Sequence, residues 1–156
     1  MDNLLTALNK ELEHATSIGH CAYRIPTAVA QATKIILKHS KTDTQYAGQR
    51  LGCIKKNIQP SPALLEQLAK KPSLPRAVVT DKAAWLYICG RDILAQGITT
   101  CDSVAIGAHL LIMDQHDHCI GYGTLTKMND GRPHTIKNVY DIGDYLRREH
   151  TRKRKK

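Results

Sequence analysis

Three stretches of this 156-residue chain hold side chains whose types and spacing bear on chemistry. The first is its C-terminus, "DYLRREHTRKRKK". From Arg147 to Lys156 seven basic residues stand against Glu149 alone, so six of the nine net positive charges fall in the last ten residues. A like-charged block of this kind is expected to be disordered when free and to attract a polyanion. Arg147 and Arg148 close a helical pattern, which positions their guanidinium groups to fork onto phosphates or stack on bases. Arg152, Lys153 and Arg154 lie beyond it and offer unpositioned charge that adds counterion release. The competing reading is that the tail only maintains solubility.

The second stretch is "WLYICGRDILAQGI". It predicts a short helix between Gly90 and Gly97, with Gly97 where a helix C-terminus commonly needs a left-handed residue. Gly97 is either helix punctuation or a place where a phosphate or sugar approaches the backbone, with Arg91 supplying charge. Spacing alone weighs the two equally. The third stretch, "DQHDHC", gathers Asp114, His116, Asp117, His118 and Cys119. These are metal-capable atoms, but alternate residues of a strand point to opposite faces and no distant partner cluster is visible, so a solvated turn competes with a metal site.

Catalytic signatures are missing. The chain contains no Walker loop, no G-x-G-x-x-G, no G-x-S-x-G and no H-E-x-x-H, and no paired titratable groups converge in its front half. No catalytic residue, metal or cofactor is assigned. The five cysteines, Cys21, Cys53, Cys89, Cys101 and Cys119, are odd in number, widely spaced and without a C-x-x-C pair, so neither a disulfide framework nor a zinc ribbon is expected. Each reads as a small core or surface residue in a reducing cytoplasm. With 42% hydrophobic residues, no apolar run of about 18, and an acidic amphipathic start, the chain reads as soluble and neither secreted nor membrane-spanning.

These stretches need elements to hold them. Leu4, Leu5, Leu8 and Leu12 fall on one face of a first helix, with Asp2 available to cap and Lys10, Glu11 and Glu13 toward water. "HCAYRIP" predicts a strand stopped at Pro26, and "TAVAQATKIILKHS" a second helix with Val29 and Ile36 inward. "AGQRLGCIKKN" alternates as a strand. "QPSPALLEQLAKKP" sets Ser61 at an N-cap and Pro62 at the first helical position. "KKPSLP" is the best linker and puts a boundary near Lys71 to Pro75. Beyond it "RAVVT", "AWLYIC", "VAIGAHLLIMD" and "CIGYGTL" read as strands, followed by a strand around "IKNV" and a helix around "DIGDYLRRE" anchored by Ile142, Tyr145 and Leu146. The expected fold class is α+β: an N-terminal α/β domain (1–73), a C-terminal pseudobarrel (74–149) and a basic tail (150–156).

The order "RAVVTDKAAWLYICGRDILAQGI" then "SVAIGAHLLIMDQHDHCIGYGTL" resembles a PUA domain, the small RNA-binding pseudobarrel of pseudouridine synthases and archaeosine transglycosylases. "DIGDYLRRE" resembles the ending of the Nip-seven family of archaeal and eukaryotic large-subunit ribosome-biogenesis factors, in which an α/β pre-PUA domain precedes the PUA domain. The leading helix, "CAYRI" and "RLGCIKKN" agree in outline. This resemblance implies non-catalytic binding of U- or A-rich, single-stranded or structured precursor ribosomal RNA. It places the RNA contacts on basic residues at the end of the last helix, here Arg147 and Arg148, and more loosely on Arg152, Lys153 and Arg154. Implied partners are precursor rRNA and other assembly proteins met through the pre-PUA half. The implied location is the cytoplasm of an archaeon, or the nucleus and nucleolus if the source is eukaryotic. Two other readings stand beside it: a structural RNA-binding subunit of the ribosome or of an RNA-modification complex, and an enzyme, for which the front half is small.

Overall fold

The structure, a computed structural model, describes residues 3–18, 20–26, 28, 29, 31, 32, 35, 48–54, 58–126, 135–144 and 147. Helix α1 (Leu4–Glu13) begins at Asn3, whose side chain accepts from the Leu5 backbone N–H at 3.1 Å. The cap expected at Asp2 therefore falls one residue later. Leu4, Leu8 and Leu12 are buried along one stripe, as their 3.6-residue period requires. Glu11, expected to face water, instead accepts from Lys71 at 2.8 Å, Gln67 at 3.1 Å and Arg24 at 3.2 Å.

Strands β1 (Thr16–Ile18), β2 (Cys21–Arg24), β3 (Gln49–Ile54) and β4 (Ile58–Pro60) form an antiparallel sheet in chain order. Cys21 lies directly opposite Cys53 in the β2–β3 ladder, and a disulfide joins them with Cα atoms 4.0 Å apart. This corrects the expectation of five unpaired cysteines: a separation of 32 residues hides a pairing that strand register creates. Of the expected second helix, residues 28, 29, 31, 32 and 35 are described and helical, and Ile36 lies outside the described residues. Val29, expected inward, is half exposed. Helix α2 (Pro62–Ala69) starts as expected, with Ser61 Oγ accepting from the Leu64 N–H and Pro62 at its first position.

The second sheet runs in the order β6-β5-β7-β8-β9, from β5 (Arg76–Val79), β6 (Ile98–Cys101), β7 (His109–Met113), β8 (Cys119–Thr126) and β9 (Thr135–Asp141). Only β5 and β7 are parallel. Ile93 bridges Ile136 on the far side of β9, with reciprocal N–H to carbonyl bonds of 2.9 and 3.0 Å, which curls the sheet toward closure. The run read as the strand "AWLYIC" is helix α3 (Asp81–Ile88). Its aromatic and β-branched residues favour a strand locally. Thr80, however, caps the first turn by accepting from the Ala83 N–H, and Ala83, Ala84 and Tyr87 form one buried helical face.

Strand β7 explains why "LLIM" is apolar without a break. Leu110 and Ile112 point into a core within the second sheet, together with Val79, Tyr87, Ile120 and Ile136. Leu111 and Met113 point the other way, into a core built with Leu4, Leu8, Leu51, Leu64, Leu65 and Leu68 of the front half. Leu74, in the expected linker, is buried in that shared core. Tyr122 Oη donates to the Ile58 carbonyl at 2.8 Å and adds a polar tie between the sheets. No described helix is long and apolar enough to cross a membrane.

Candidate nucleic-acid interface

Helix α3 ends at Gly90, whose φ of +88° is the left-handed conformation that the sequence placed at Gly97. The Gly90 N–H donates to the Tyr87 carbonyl at 2.8 Å and the Arg91 N–H to the Leu86 carbonyl at 3.0 Å, the paired bonds of a Schellman ending. Arg91 is thereby fixed as the first residue past the helix. Asp92 accepts from the Asn138 N–H at 2.8 Å, so the loop is also pinned to β9. The predicted helix between Gly90 and Gly97 is reduced to one 3-10 turn, Ala95–Gly97. The Ile93–Ile136 ladder holds the preceding residues extended.

Gly97 is buried for a reason that neither sequence reading supplied. A Cβ there would lie 2.6 Å from the Ala83 Cβ, so the missing side chain lets the 3-10 turn press against α3. The Gly97 carbonyl accepts from the Thr80 N–H at 2.9 Å and fastens the start of the helix.

Between α3 and this turn lies an open groove of about 750 Å³. It is lined on the helix side by Thr80, Lys82 and Leu86, and on the other by Arg91, Leu94 and Gln96, with Gly90 and Gly97 in its wall. The structure thus brings Arg91 and Gly97 into one concavity. Lys82, Thr80 and Gln96 were missed. For Lys82 the signal is its i,i+4 relation to Leu86 on one helical face, which the reading of residues 84–89 as a strand hides. Arg91 is exposed, so its planar fork is presented to solvent at the rim.

Arg147 sits in an adjoining polar cleft of about 180 Å³ that shares Gly90 and Asp92 with the groove. Its N–H donates to the Gly143 carbonyl at 3.2 Å, one helical turn after β9. Its guanidinium donates twice to Asp141, at 2.9 and 2.7 Å, and once to the Ile88 carbonyl at the end of α3. The hydrogen bonds that Arg147 donates to Asp141, and the charge of that residue, hold the Arg147 pKa above its ordinary value against the opposing effect of burial. Asn138 Nδ2 completes the shell, reaching Asp141 Oδ2 at 3.0 Å and the Tyr87 carbonyl at 2.9 Å. Arg148, Arg152, Lys153, Arg154, Tyr145 and Leu146 lie outside the described residues.

The "DQHDHC" stretch forms the β7–β8 turn, with Asp117 at φ 61°. Asp114 Oδ1 accepts from the backbone N–H groups of His116 at 2.8 Å and His118 at 2.9 Å. Burial raises the Asp114 pKa, but these N–H groups and the His118 ring together bring it below its ordinary value. Among the described residues no group of three or more His, Cys, Asp or Glu is arranged to hold a metal ion.

Residues 76–150 match the family described as the UPF0113 PUA domain. No curated protein matches the chain. A conserved PUA domain protein from Thermoplasma acidophilum aligns at a TM-score of 0.52 and 20% identity, covering 81% of this chain and 97% of that one. A hypothetical protein from Pyrococcus horikoshii aligns at a TM-score of 0.49 and 19% identity, covering 62% and 65% respectively. Together with the five-stranded sheet that curls toward closure and the helix α3 packed on it, the match gives residues 76–150 the fold of a PUA domain in a chain of mixed α+β fold.

Proposed function

We propose that this protein binds RNA without catalysis, and that its target is precursor ribosomal RNA of the large subunit, on which it acts as an assembly factor. The observation that carries the reading is the groove between α3 and the 3-10 turn, where Lys82 and Arg91 face an open concavity in a PUA domain. Cations on its two sides take phosphates, while the fixed shape between them accommodates a backbone or an unpaired base. The run of cations after Arg147 adds affinity without sequence preference. The front half, packed on the PUA domain through the shared core, is the proposed contact for other assembly proteins. The proposed location follows the source: cytoplasm in an archaeon, nucleolus in a eukaryote.

Titration with a large-subunit precursor fragment and a scrambled control tests this. If roughly four to six phosphates are neutralised, the logarithm of the affinity falls against the logarithm of salt with a slope of about 3 to 4. Deleting Thr151 to Lys156 lowers that slope and weakens both RNAs alike, whereas Arg91→Ala also narrows the difference between them. A slope near zero for the intact chain sinks the proposal.

A further inference from the structure

Trp85 is the only tryptophan in the chain, and it is 68% exposed on the solvent side of α3. Ala83, Ala84 and Tyr87 turn the opposite face of the helix into the core. Lys82, three residues before Trp85, adjoins it on the outer face, and Lys82 and Leu86, four residues apart, line the groove. Across the groove stands Leu94, 53% exposed, next to Arg91 on the loop, and Leu86 is itself 44% exposed. Trp85 thus stands just outside the groove, next to Lys82 on the helix surface, and the groove beside it carries two aliphatic side chains, the cations Lys82 and Arg91, and Asp92. Exposed apolar surface rimmed by charge marks a binding surface.

The cations decide what kind of partner fits. A protein partner that buried Trp85 would also have to desolvate Lys82, whereas a nucleic acid strand supplies a phosphate for the cation and a base for the ring. We infer that Trp85 is a stacking shelf: an unpaired RNA base lies on the indole while Lys82 and Arg91 hold the neighbouring phosphates. This rests on the RNA-binding reading and adds to it a requirement for unpaired bases at a defined residue.

The test uses the full chain and two probes, oligoadenylate and inorganic polyphosphate, the second having charge but no bases. Oligoadenylate is expected to quench the single tryptophan emission and polyphosphate to leave it nearly unchanged. By fluorescence anisotropy or competition, Trp85→Ala weakens oligoadenylate roughly 5- to 100-fold and leaves polyphosphate within about twofold, while Trp85→Tyr restores most of the loss. Lys82→Ala weakens both probes. Circular dichroism and thermal melting of each variant establish that it folds. Binding of oligoadenylate without quenching, or equal loss for the two probes in Trp85→Ala, overturns the shelf while the RNA-binding reading stands. Emission that shifts with protein concentration in the absence of RNA overturns it in favour of a second copy covering the helix. Failure of the intact chain to bind any RNA removes both.

Discussion

The guanidinium of Arg147 lies across the carboxylate of Asp141, Nη1 donating to Oδ1 at 2.9 Å and Nη2 to Oδ2 at 2.7 Å, with the carboxylate residue only 1% exposed. The same Nη1 also donates to the Ile88 carbonyl, so one side chain joins the end of β9, the end of α3 and the turn that follows. A fork of this kind answers a buried anion more completely than a point charge does.

Removing the fork leaves the Asp141 charge buried with Asn138 as its remaining described donor. Arg147→Ala is expected to cost about 3 kcal/mol in urea unfolding, and Arg147→Lys to recover less than half, because an ammonium cannot span both oxygens and the Ile88 carbonyl. Adding Asp141→Asn to Arg147→Ala recovers part of the loss. An Arg147→Ala variant as stable as the parent contradicts this account.

Tyr87 is fully buried, and its hydroxyl donates to the Tyr122 carbonyl at 2.7 Å, with the Tyr140 carbonyl at 3.2 Å. Burial is the main cause that lifts its pKa well above the ordinary phenol value, so it remains a neutral donor throughout the range in which the protein is handled. Tyr87→Phe leaves the Tyr122 carbonyl without this donor and is expected to lose about 1–3 kcal/mol of stability. Thermal melting checks it, and an unchanged melting temperature counts against the bond.

Gly97→Ala forces a methyl group against Ala83, and the expected loss is about 1–3 kcal/mol. Ala83→Gly in the same chain vacates that space and recovers much of the packing cost, apart from the helix penalty of glycine of about 1 kcal/mol. The double variant also restores RNA binding lost in Gly97→Ala, since the groove wall returns to its place. Equal affinity of Gly97→Ala and the parent for RNA shows instead that the wall does not shape the site.

Glu11 is held below its ordinary pKa chiefly by the hydrogen bond from Lys71, with the charges of Lys71 and Arg24 and the Gln67 amide adding to it, while burial opposes. A folded-state pKa below the unfolded one means that the stabilisation is present above the unfolded value and is lost as pH falls through the folded value. Glu11→Gln is therefore expected to flatten the acid limb of stability against pH and to be most costly near neutrality. Urea midpoints across the acid range measure this. Parallel profiles for the two proteins would rule out a stabilising role for the Glu11 charge.

Local signals carried much of the fold. The Ser61–Pro62 start, the Leu4, Leu8 and Leu12 stripe, and the apolar run of β7 are each written within a few residues, by capping chemistry or periodicity. Helix α3 was misread because Trp85, Tyr87 and Ile88 favour strands, and only the Thr80 cap and the small Ala83–Ala84 pair argued otherwise. Of the candidate site, Arg91 and the two glycines were legible from spacing, though the left-handed role belongs to Gly90 and the packing role to Gly97. Lys82 and Trp85 became visible once the helix was in place. The Cys21–Cys53 bond and the Arg147–Asp141 fork depend on strand register and on the meeting of three elements, which no local pattern encodes.

The placement of β7 between two cores has a consequence for the order in which the protein is made. Helix α1 leaves the ribosome about a hundred residues before a strand it packs against, His109–Met113. At a synthesis rate of roughly 5–20 residues per second, the leucine stripe of α1 waits several seconds for its cover. Until Leu111 and Met113 arrive, the front half is an unfinished layer with an adhesive underside. During that interval the leucine stripe is apolar surface open to any hydrophobic contact, and the arrival of β7 closes it.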